Sequence, residues 1–206
     1  MKTAICFTGT ARSLEYTYEN IQEKLINPIE DCDVFLLIAE NPHSDKVNKY
    51  FDIPQVKVLK IEKEPEYDIS KYRFRPLWPS PKSISSRQIY IKMVKSRERC
   101  NDLLKEYELN NGFVYDRVIF SRLDVKYFDN IDMFLDGLSL DSIYVPDFHN
   151  TFGNVINGYN DRFAISNRKN METYFTVLRD VNKFLEQGGL VHAETLLKWH
   201  LDNNSI

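Results

Sequence analysis

Apolar residues along this chain gather in two patterns. Short unbroken runs mark strands buried on both faces, and runs at a three-to-four spacing mark helices. The unbroken runs lie at residues 3–8 (TAICFT), 33–39 (DVFLLIA) and 115–125 (YDRVIFSRLDV). Residues 55–61 (QVKVLKI) alternate more, which places that strand nearer a sheet edge. Residues 142–146 (SIYVP) and 162–166 read as two further strands. Helical patterns cover residues 13–26, 85–108, 131–135, 167–185 and 192–201, with Asn167 as a cap and Gln187-Gly188-Gly189 as a stop. On the helix at 85–108, Ile89, Met93, Cys100, Leu104 and Tyr107 fall mostly on one face. Residues 64–82 and 149–160 read as loops. Strands alternate with helices, so the expected class is α/β, a central mostly parallel sheet flanked by helices.

Length and charge narrow the picture. The chain has 206 residues, enough for a single domain over 1–206. A net charge of -3 argues against a nucleic-acid partner, whose footprint is basic. Cys6, Cys32 and Cys100 have no metal-like spacing and are expected to be reduced, which fits an intracellular, cytoplasmic location. No signal-peptide pattern is visible, and no apolar stretch is long enough for a transmembrane segment.

The chemistry is expected where strands end. A carboxylate after the most core-like strand is costly unless a cation or ligand satisfies it, and Asp124 stands there. Arg122 and Asp124 share one face because the side-chain period is two. Asp124 can hold a divalent cation against a diphosphate; Arg122 can grip phosphate or pair with Asp124. The turn after the first strand, FTGTARS, has Gly9 for a tight turn, Arg12 for charge and a following helix dipole, a setting for phosphate. It is neither a P-loop nor GxGxxG, and a kinase or phosphatase reading is disfavoured on that ground. In the loop around residues 146–164, Asp161 can orient or deprotonate a hydroxyl or simply form a turn; His149 can be a ligand or a bystander. Glu194 can be a general base or a first-turn helix carboxylate. Lys71, Arg73, Arg75, Tyr72, Phe74 and Trp78 can close over an anionic or sugar ligand. Arg87 and Gln88 can hydrogen-bond a ligand from the start of the long helix.

Four segments together resemble a known family. AICFTGTARS, SSRQIYIKM, YDRVIFSRLDV, and NGYNDRFA with HAETLLKWHL, in that order, are similar to small nucleotide-sugar glycosyltransferases of the Rossmann-like GT-A fold, of the kind that build bacterial or viral surface glycans. The resemblance implies a UDP-type sugar donor and a glycan or other hydroxyl acceptor. It implies a nucleotide-binding part over about 1–125 and an acceptor-side part over about 126–206. Thr8, Gly9, Thr10, Ala11 and Arg12 would line the nucleotide pocket, with Arg87 and Gln88 assisting. The family's Asp-x-Asp motif falls on Arg122-Leu123-Asp124, so Asp124 would inherit the Mn²⁺ or Mg²⁺, while Arg122 departs from the pattern. Asp161, then Glu194, would activate the acceptor hydroxyl. The chain is short for the family, so the acceptor part is slight or supplied elsewhere, as in one module of a larger chain. The location would be the host cytoplasm if the source is viral. The alternative is a non-catalytic nucleotide-sugar or glycan-binding module.

Overall fold

The computed structural model describes residues 1–72, 82–148, 151–152, 156–189 and 192–206. Arg73, Phe74, Arg75, Trp78 and His149 lie outside the described residues. The apolar runs become the core strands β1 (Thr3–Gly9), β2 (Cys32–Ala39), β3 (Val56–Glu62) and β4 (Arg117–Arg122). All are parallel, and the antiparallel strand β7 (Phe163–Asn167) completes the sheet in the order β3-β2-β1-β4-β7. A short antiparallel pair, β5 (Thr151–Phe152) and β6 (Ile156–Asn157), forms within the expected loop.

Period-two alternation decides which helices cover which face. Ile5, Phe7, Val34, Leu36 and Ile119 point to one side, against Leu14 and Ile21 of helix α1 (Leu14–Ile21) and Val47 of α2 (Asp45–Tyr50). Ala4, Cys6, Phe35, Val118 and Phe120 point to the other. They pack on Cys100 and Leu104 of α3 (Lys82–Asn111), on Met171 and Tyr174 of α5 (Arg168–Phe175), and on Leu197 of α7 (Ala193–Asn203). A third cluster joins Ile91 and Val94 of α3 to Phe184 and Leu185 of α6 (Val181–Glu186). The chain also forms the short helix α4 (Asp132–Leu135).

Several expectations shift. Residues 142–146 do not form a strand: only Tyr144 bridges to Ile165. Ser166 donates through its hydroxyl to the carbonyls of Leu140 and Ser142, so side-chain bonds replace the ladder there. The helix expected over 167–185 is interrupted after Phe175, where the Thr176 hydroxyl bonds back to Glu172 O at 2.8 Å and a 3₁₀ turn, Val177–Asp180, intervenes. Its start is as expected, with Asn167 Oδ1 accepting from Asn170 N. Ile89 is 67% exposed rather than buried, and the buried stripe of α3 runs through Ile91, Val94, Arg97, Cys100 and Leu104.

Candidate functional site

β1 sends the chain to β2 and β3 on one side, and the chain then returns to β4 on the other. The strand order therefore reverses between β1 and β4, the place where open α/β sheets hold ligands. Register brings Thr8 directly opposite Arg122, so both turns leave the sheet side by side at its carboxyl edge.

Each turn is fixed by its own bonds. Gly9 has φ +116°, a region costly to side-chain-bearing residues. Arg12 donates from Nε to Thr10 Oγ1 at 3.2 Å. Ala11 points into the core with α1 rather than to the surface. After β4, Leu123 is buried and its carbonyl accepts from the Thr17 hydroxyl at 2.6 Å. Asn20 exchanges two hydrogen bonds with the Tyr127 backbone. The segment carrying Asp124 is thus tied to α1 at three points.

Between the two turns and α3 lies a cleft of about 400 Å³, lined by Thr8, Gly9, Thr10, Arg12, Arg122 and Asp124 together with Glu64, Lys92, Met93, Ser96, Arg97 and Phe120. Six expected residues meet here. Lys92, Arg97 and Glu64 were missed. Arg97 left a signal: a charge in the apolar stripe of α3, at the spacing of Val94 and Cys100. A residue in such a stripe faces the core, and Arg97 is 1% exposed.

Arg97 survives there through Asp161. Its Nη2 lies 2.5 Å from Asp161 Oδ2, both side chains are buried, and the guanidinium also stands 5.1 Å from the Phe120 ring centroid. Burial pushes the Asp161 carboxyl upward, but the charge and hydrogen bond of Arg97, aided by Arg122 and Arg162, outweigh it and hold the group below its ordinary value. Asp161 is therefore an engaged carboxylate beneath the cleft and not among its lining residues. Arg97 Nε has no hydrogen-bond partner among the described residues.

Glu194, in the first turn of α7, also lies outside the lining, 3.4 Å from His192 Nδ1. Its carbonyl accepts from Tyr159 N, which ties α7 to the segment after β6. Gln88 is likewise away from the cleft, bonded to the Glu66 carboxylate and to Tyr67 O. Arg87 is not among the lining residues either.

Both carboxylate oxygens of Asp124 accept from Arg122, Oδ1 from Nε at 2.9 Å and Oδ2 from Nη2 at 2.5 Å. A hard divalent cation needs free oxygen ligands. No group of three or more His, Cys, Asp or Glu among the described residues could hold one. The expected Mn²⁺ or Mg²⁺ at Asp124 would meet a carboxylate already shared with a guanidinium.

A second groove, of about 490 Å³, is apolar, with Tyr127, Phe128, Phe134, Tyr144, Phe148 and Phe163 in its walls. The first cleft has the converging charged groups that orient a ligand.

A family model described as a domain of unknown function, DUF7796, matches residues 1–204. The chain belongs to the DUF7796 family. No curated protein matches it. Among solved structures, this DUF7796 chain is similar to the galactosyltransferase LgtC, determined in complex with donor and acceptor sugar analogs, at 10% identity and a TM-score of 0.53 over 96% of this chain and 70% of that one. It also aligns with the apo-form glycosyltransferase GlyE of Streptococcus pneumoniae TIGR4, at 12% identity and a TM-score of 0.49, over 98% of this chain. The chain spans 44% of the length of GlyE. The five-stranded, mostly parallel sheet flanked by helices is the GT-A arrangement that the sequence resemblance implied. No helix among the described residues is long and apolar enough to cross a membrane.

Proposed function

We propose that this DUF7796 protein is a glycosyltransferase that takes its sugar from a nucleoside-diphosphate donor, a UDP-sugar first, and passes it to a hydroxyl of a glycan acceptor. The observation that carries the reading is the convergence of Arg12, Lys92, Arg97 and Arg122 on one cleft at the point where strand order reverses. Breaking the bond between sugar and diphosphate leaves growing negative charge on the departing phosphate. Fixed cations facing that charge lower the barrier, and each such group typically contributes about 10²–10³ in rate.

Thr8, Gly9 and Thr10 supply a close-lying backbone and hydroxyls to the donor. Asp161 holds Arg97 in place instead of activating the acceptor. Glu194, the second expected base, lies outside the lining, and Glu64 is the carboxylate within it besides Asp124. LgtC, of the same fold, was solved with donor and acceptor analogs, which supports the substrate class.

The test is a donor screen with nucleotide-sugars, reading release of nucleoside diphosphate with and without sugar acceptors. Turnover by the natural chain and a drop of about 10²-fold or more in Arg12→Ala are expected. A specific observation favours a second reading, a non-catalytic binding module: Arg122 stands where the resemblance places a carboxylate. Tight donor binding with no hydrolysis or transfer across the screen would establish that second reading and end the first.

A further inference from the structure

Resting on the donor class proposed above, we infer that the donor's diphosphate is neutralised by cationic side chains of this chain, with Arg122, braced by Asp124, standing where a divalent cation was expected. Asp124 is then a positioning residue and not a metal ligand.

Four observations carry this. First, the Asp124 carboxylate is gripped on both oxygens by one guanidinium, through Nε and Nη2. Arginine has five N–H groups in a rigid fork, so three remain for phosphate oxygens, and the brace fixes their direction. Second, Arg122 cannot drift far. It ends β4 opposite Thr8, its own N–H bonds to Arg162 O at 3.1 Å, and Leu123 beyond it is anchored in the core.

Third, Arg97 lines the cleft while fully buried, with its Nε unpaired among the described residues. Buried donors are rarely left so, and an anion in the cleft would supply the missing acceptor. Fourth, the lining holds four cations (Arg12, Lys92, Arg97, Arg122) against two carboxylates (Glu64, Asp124). Arg97 and Lys92 are each also paired with a carboxylate outside the lining, Asp161 and Glu66, so the cations are held in place by partners while their remaining N–H groups stay available to a diphosphate. A divalent cation entering here must compete with Arg122 for Asp124 and then sit beside the other cations of the lining. The diphosphate meets neither obstacle.

The experiment is calorimetric titration of the full chain with UDP, GDP, ADP and CDP, each in EDTA and in Mn²⁺. At least one nucleotide should bind, with affinity equal in the two buffers to within about twofold, and Mn²⁺ should leave its free electron-paramagnetic signal unchanged on adding protein. Arg122→Met should weaken binding about tenfold or more without creating a metal requirement. Asp124→Asn should weaken it less, and equally in both buffers. Arg122→Asp should bind poorly in EDTA and recover about tenfold or more with Mn²⁺. A natural chain whose affinity rises tenfold or more in Mn²⁺ overturns this inference and leaves the donor class standing. No binding by any nucleotide in either buffer overturns both.

Discussion

A guanidinium as deeply buried as Arg97 needs a counter-charge, and Asp161 is that counter-charge. Removing one partner of a buried pair strands the other, at a cost of about 3–5 kcal/mol. Asp161→Asn should lose roughly that much stability in urea unfolding, while Arg97→Met with Asp161→Leu should regain most of it. A single substitution costing under about 1 kcal/mol would show that the charges are solvated. The pH dependence has a definite sign. The Asp161 carboxyl is held below its ordinary value. Its contribution is therefore fully present above the unfolded-state value of about 3.9 and is lost as pH falls through the lowered folded value. Unfolding curves of the natural chain and of Asp161→Asn should stay a constant distance apart from about pH 5 to 8 and converge below about pH 4.

Among the elements, α3 does most to join core and cleft, since one of its faces is buried while Lys92, Met93, Ser96 and Arg97 reach the ligand side. The sequence showed its length and its amphipathic character but misjudged the stripe, because Ile89 was taken as core. That residue sits before the third cluster begins and lines the cleft mouth instead. β1, β2 and β4 were legible because each is an unbroken apolar run covered on both faces, and β3 was legible from its alternation as an edge strand. β7 was legible from Phe163 to Ser166, but its antiparallel direction was not, since direction is set by partners and not by pattern. The turns at Gly9–Arg12 and Arg122–Asp124 were legible as strand ends. Their pairing followed from strand order, which the sequence did not contain. Asp161 was legible as a candidate carboxylate, but its engagement by Arg97 was not, since that charge lies 64 positions away in the sequence.

The junction between Gly158 and α7 gives a further prediction at this scale. A Cβ on Gly158 would lie 2.6 Å from the Glu194 backbone carbon, with no flexible side chain to yield. Gly158→Ala should therefore displace the first turn of α7 and cost about 1–3 kcal/mol, read by thermal unfolding. Gly9→Ala is a different case: a Cβ there meets nothing within 4 Å, so only the strain of φ +116° remains. Its expected cost is about 1–2 kcal/mol, and nucleotide affinity should fall only as far as the turn shifts.

The molecule carries a net charge of -3, yet the lining of its cleft is cationic. The cations of the lining therefore draw an anionic ligand towards the cleft. Because the lining comes from β1, β4 and α3 together, a ligand seated there clamps the sheet to its largest helix and should stabilise the whole fold. At a nucleotide concentration of about 100 times Kd the gain is about 2.7 kcal/mol. For a chain of this size that corresponds to a rise of about 5–10 °C in Tm. Salt should oppose the effect, since the cleft is open to solvent and the Debye length falls from about 10 Å at 0.1 M to about 3 Å at 1 M. The expected pattern in a thermal-shift series is a nucleotide-induced rise that is largest in low salt, shrinks steadily with added NaCl, and is reduced in Arg12→Ala and Lys92→Met. A rise that ignores salt would mean that stacking of the base holds the ligand rather than the charges, and would relocate the binding energy to Met93, Phe120 and the apolar part of the wall.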